Sequence, residues 1–154
     1  MNDKGTNSYQ ERNSNINIAE IRFENWCKDK NIQFWRMGFD EKNNRVPRFW
    51  DIHPVVRSMP DYICVGRDQR LTYMHVKGTN KIKINDLMMY ERWHTDLCQD
   101  VGMRIVFCFD GEEPIFLKWH ELKQKLTGCE IKEWSNDKKQ YVEINVRKTP
   151  TTVS

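Results

Sequence analysis

Two short apolar runs with a polar turn between them constrain this chain more than any other feature. Tyr62 to Val65 and Leu71 to Val76 have the length and the β-branched and aromatic content of strands, and Gly66-Arg67-Asp68-Gln69-Arg70 punctuates them as a hairpin. Residues two apart on a strand share a side, so His75 and Lys77 project together while Val76 enters the core. Pro60-Asp61 opens the first strand, so the hairpin brings an acid, an imidazole and an ammonium together. Such a set suits phosphodiester hydrolysis. Mg²⁺ binds through one or two carboxylates while keeping waters, and a nearby lysine orients or deprotonates a water or offsets phosphate charge.

The flanking segments supply the rest of an α/β domain. Ala19, Phe23 and Trp26 recur at helical spacing from Ile18 to about Lys30, with Asn17 available as N-cap. Glu20 and Glu24 share one edge of that helix, either as site acids or as solvated charges beside Arg22 and Lys28. Ile32 to Met37 reads as a strand. Gly38 to Asp51 is a long connection in which Arg45, Arg48, Phe49 and Trp50, with Arg57 beyond it, offer phosphate partners among stacking planes. Equally, Phe49 and Trp50 fold such a loop onto the core.

After Lys77 comes a basic turn, Gly78 to Lys83, whose Thr79, Asn80, Lys81 and Lys83 suit a phosphate backbone. Asn85 or Asp86 then caps a helix to about Val101, with Leu87, Tyr90, Trp93 or His94, and Leu97 on its inner stripe and Gly102 at its end. Arg104 to Phe109 is a continuous apolar run, as expected of a strand buried on both faces, and it should pair with the hairpin. Ile115 to Trp119, a short helix from His120 to Leu126, and a closing hairpin of Glu130 to Trp134 with Tyr141 to Val146 complete the chain. His94 and Cys98, four apart, lack the second ligand pair that a structural zinc needs.

Pro60-Asp61 followed by His75-Val76-Lys77-Gly78-Thr79 resembles the signature of the PD-(D/E)XK nucleases, and the Holliday junction resolvase-like branch fits best. The order of elements over about residues 18 to 110 is similar to that family's core. The resemblance implies a restriction-endonuclease-like fold, a mixed sheet flanked by helices, and a metal-dependent DNA endonuclease. It implies Asp61 on one or two Mg²⁺ or Mn²⁺ ions, His75 where the family has its second acid, the Val76 carbonyl completing the shell, Glu20 as a helix acid, and Lys77 beside the attacking water. It makes Tyr90 and Glu91 supporting residues and allows a homodimer, because two symmetric cuts need two sites. The alternative is a nuclease-like fold that binds nucleic acid without cutting.

Composition sets the outer limits. The 154 residues fit one domain, residues 16–147, between a flexible arm over 1–15 and a tail over 148–154. A charged fraction of 31% and a mean hydropathy of −0.82 describe a polar surface, but a net charge of +3 is too small by itself to identify a nucleic-acid partner. Five cysteines at wide spacing, three of them in apolar runs, fit a reducing cytoplasm. Nothing at Met1 to Asn15 reads as a signal peptide, and no run approaches the roughly 18 apolar residues of a membrane span.

Overall fold

The computed structural model describes residues 18–37, 53–97 and 101–147. The expected arm and tail, the loop carrying Arg45, Arg48, Phe49 and Trp50, and Cys98 lie outside those residues. Helix α1 (Ile18–Asp29) buries Ala19, Phe23 and Cys27, a stripe spaced by four. Strand β1 (Gln33–Arg36) follows it. A single helical turn, α2 (Pro54–Arg57), starts on a proline whose missing N–H costs nothing there, with His53 Nδ1 accepting the Val55 N–H at 3.2 Å.

The expected hairpin forms as β2 (Tyr62–Val65) and β3 (Leu71–Lys77), paired antiparallel with Tyr62 opposite Met74. The remaining elements are β4 (Lys81–Lys83), α3 (Ile84–Arg92), β5 (Gly102–Phe107), β6 (Ile115–Lys118), α4 (Trp119–Leu126), β7 (Lys132–Glu133) and β8 (Gln140–Glu143). The main sheet has the order β1-β2-β3-β5-β6, with β3 parallel to β5 and the other pairs antiparallel. The fold is therefore α/β, a mixed five-stranded sheet flanked by helices. A second sheet of order β4-β8-β7 stands beside it.

Both faces of the main sheet are covered, which explains the unbroken apolar run in β5. Val106 and Cys108 join Phe23, Cys27, Tyr62 and Cys64 under α1, while Ile105 and Phe107 join Tyr90, Leu117, Trp119 and Leu122 under α3 and α4. Cys27, Cys64 and Cys108 are buried free thiols, serving as small hydrophobes. No helix among the described residues is long and apolar enough to cross a membrane.

Four local expectations change. Lys81–Lys83 is a strand paired with β8, where a turn was expected. Helix α3 starts earlier than either expected cap allows, at Ile84, and Lys83 caps it without a side-chain hydrogen bond. Its continuation is a π-helical turn over Trp93–Leu97, with Trp93 against the core and His94 exposed. Gly102 begins β5, where the sequence placed a helix end.

Candidate active site

The site forms where the β2–β3 ladder runs out. The Asp61 N–H donates to the Met74 carbonyl at 2.9 Å, and Pro60, fully buried, has no N–H to extend the pairing. The next β3 donor facing that side is the Val76 N–H, and it meets a side chain: Asp61 Oδ2, at 2.7 Å. Backbone groups of alternate strand residues point to opposite neighbours. The Lys77 carbonyl accepts from Cys108 on the β5 side, so the Val76 carbonyl lies on the same side as its N–H, next to Asp61. Among the described residues Asp61 Oδ1 makes no hydrogen bond.

Burial pushes the Asp61 carboxyl up to about 7, and the Glu20 charge adds to the rise; the Val76 hydrogen bond, Lys77 and Arg36 act against it. Two residues outside the hairpin are therefore close enough to act on this acid. Glu20 reaches it from α1, held by an ion pair with Arg36 at 2.9 Å. Gly78 permits that approach, because a Cβ on it would lie 3.2 Å from the Ala19 Cβ. Glu24, the competing helix acid, instead accepts a hydrogen bond from the Tyr62 hydroxyl.

His75 is 4% exposed, and its ring lies 4.5 Å from the Tyr90 ring. Burial lowers its pKa to about 3, with Lys77 adding to the shift, so the imidazole is neutral. Its Nε2 is buried with no hydrogen-bond partner among the described residues. An orphaned polar atom of this kind costs about 1–3 kcal/mol and calls for an explanation.

Lys77 has a side chain 22% exposed and places Nζ 3.0 Å from Asp86 Oδ2. Burial by itself would lower the ammonium, but the Tyr90 hydroxyl, Asp86 and Asp61 outweigh it and hold its pKa above the ordinary lysine value. Lys77 is thus a fixed positive charge, suited to stabilising negative charge and not to abstracting a proton.

Of the expected site residues, the structure brings Glu20, Asp61, Val76 and Lys77 together, with His75 beside Lys77 and Tyr90 closing over both. Glu91 is directed elsewhere, accepting from Trp119 Nε1 at 2.7 Å and Thr95 Oγ1 at 2.6 Å. Arg57 ends α2. Thr79 is exposed and bonds locally to Lys81. Asn80 is committed to the Ile144 carbonyl at 3.0 Å. Lys81 lies over the Tyr141 ring, its Nζ 5.7 Å from the centroid.

Sequence reasoning missed Arg36 and Asp86 as members of the site. A lysine that the fold half-buries demands a counter-charge, and Asp86, the first carboxylate after it in the sequence, supplies one. Among the described residues no three His, Cys, Asp or Glu side chains form a ready metal-binding group. No family model, curated protein or solved structure matches this chain.

Proposed function

We propose that this protein is a metal-dependent DNA endonuclease of the PD-(D/E)XK type with a restriction-endonuclease-like core, Lys77 and Asp61 being its central residues. The observation that carries this reading is the half-buried Asp61 carboxyl, with Oδ2 on the Val76 N–H at 2.7 Å and Oδ1 making no hydrogen bond among the described residues. Burial and Glu20 lift it to about 7 although a fixed lysine stands beside it. Paired acids that a cation would relieve are what a divalent-ion site demands of a protein before the ion arrives.

The residues fit Mg²⁺ or Mn²⁺. Asp61 Oδ1 and the Val76 carbonyl would hold the ion, the orphaned His75 Nε2 is a nitrogen ligand in want of a partner, and Glu20 adds charge from α1. Few protein ligands suffice, because Mg²⁺ keeps several of its waters. The ion would supply charge neutralisation at the scissile phosphate and a more acidic water. Lys77, locked by Asp86, keeps its positive charge at neutral pH and faces the same phosphate. Tyr90 shields the imidazole from water and fixes the lysine's surroundings. DNA is the substrate class; a branched junction cut by a homodimer is the form suggested by the family resemblance.

Lys77→Ala and Asp61→Asn test the proposal, each assayed on branched, linear and single-stranded DNA with Mg²⁺ and Mn²⁺. Cleavage should fall by roughly 10²-fold or more in both, as when an electrostatic interaction with the transition state is removed. Wild-type rates in Lys77→Ala, with the fold intact by circular dichroism, would defeat the assignment. His75 favours one competing reading: an uncharged imidazole in place of an acid leaves a nuclease fold that binds nucleic acid without cutting it. Binding with no cleavage in either metal would select that reading.

A further inference from the structure

The second sheet has no part in the chemistry described so far, yet it builds a basic cleft at the N-terminal end of α3, the helix that carries Asp86. The cleft has a volume of about 260 Å³ and is lined by Lys83, Asn85, Glu133, Lys138, Lys139 and Gln140. Three ammonium groups there face one carboxylate. Lys77, Lys123 and Lys132 each pair with an acid, whereas among the described residues Lys83, Lys138 and Lys139 have no such partner.

The fold holds these charges in place. Lys83 sits opposite Tyr141 in the β4–β8 register, so the start of α3 and the β7–β8 turn lie side by side. In that turn Lys138 adopts φ 58°, with its N–H on the Trp134 carbonyl at 2.9 Å, and the Lys139 N–H is held by Asp137 Oδ1 at 3.1 Å. Glycine or asparagine is the usual choice for a left-handed turn residue, so backbone geometry gives no reason for a lysine there. Trp134 stacks on Tyr141 with ring centroids 4.2 Å apart, stiffening the hairpin behind the lysines.

We infer that this cleft receives a backbone phosphate of the DNA that is bound at Lys77. Three ammonium groups against one carboxylate leave the cleft positive, which suits a phosphate. Asn85 lines the cleft and Asp86, next to it in the first turn of α3, pairs with Lys77, so one helix end carries a part of both. Phosphate interactions of this kind fix the position of the duplex and carry no base preference. The inference rests on the reading of Asp61 and Lys77 as a cleavage centre for DNA.

The test measures binding of the full chain to a fluorescently labelled DNA duplex in EDTA, across a salt series, for the wild type, Lys83→Ala and the Lys138→Ala/Lys139→Ala double variant. These side chains lie on the surface, and the thermal midpoint of each variant verifies its fold. Affinity should drop roughly tenfold in the double variant, and the slope of log affinity against log salt should become shallower by about 0.9 for each phosphate that is no longer neutralised. Wild-type affinity and slope in the double variant, or absence of salt-dependent binding by the wild type, would each overturn the inference. Cleavage in Mn²⁺ is scored separately. Normal cutting with unaffected binding in the variants defeats the cleft alone, whereas weakened binding by the variants with no cutting by the wild type defeats the hydrolytic reading alone.

Discussion

His75 and Asp61 belong to one motif but pull the protein's pH response in opposite directions. A carboxyl raised from 3.8 to about 7 in the folded state binds more protons than the unfolded chain between those values, so its contribution to stability falls as pH rises through that window. An imidazole lowered from 6.5 to about 3 does the reverse, costing stability as pH falls below 6.5. In metal-free protein the two largely cancel between pH values of about 4 and 6.5. Asp61→Asn should therefore expose an acid-labile protein, and His75→Gln one that gains stability on acidification, by a few kcal/mol across the window at about 1.4 kcal/mol per pKa unit. Thermal midpoints measured against pH in chelator check both signs. His75→Glu puts a carboxylate at this position and should raise Mg²⁺-supported cleavage relative to Mn²⁺, because imidazole favours softer ions than carboxylate does; lower Mg²⁺ activity in that variant would give the imidazole a role of its own. The motif residues were legible because each is a chemical type at a strand position. Arg36 and Asp86 were not, since an ion pair depends on which elements meet in space.

Gly78 is where the approach of two elements can be tested. Alanine there puts a methyl 3.2 Å from Ala19 Cβ and must move α1, and Glu20 with it, by a few tenths of an ångström. Overpacking of this kind costs roughly 1–3 kcal/mol. Gly78→Ala should lower the thermal midpoint and slow cleavage more than it weakens DNA binding, a separation that kinetics and anisotropy together measure. Most elements could be read from periodicity alone: α1 from Ala19, Phe23 and Trp26, β5 from its unbroken apolar run. Strand β4 could not, because Lys81-Ile82-Lys83 is too short to show a period and is held by β8, far along the chain. The π-helical turn at Trp93 was also hidden, since apolar spacing records which side faces the core and not the local winding.

Across the whole molecule, the main sheet assembles the acids and lysine while the small sheet gathers basic charge at the N-terminal end of α3. A ligand that binds only the folded state raises its stability with concentration. Mn²⁺ should therefore raise the thermal midpoint of the wild type and leave Asp61→Asn unmoved, as a fluorescence melt with increasing Mn²⁺ will record. The net charge of +3 concealed this arrangement, because it sums over lysines that the fold pairs and lysines that it leaves open. The most direct measurement is anomalous diffraction from a Mn²⁺-soaked crystal. A manganese peak bound by Asp61 Oδ1 and the Val76 carbonyl, with His75 Nε2 turned to it and Lys77 alongside, is the expected result; Mn²⁺ bound only elsewhere, with Asp61 and His75 unliganded, would contradict a cation site at Asp61.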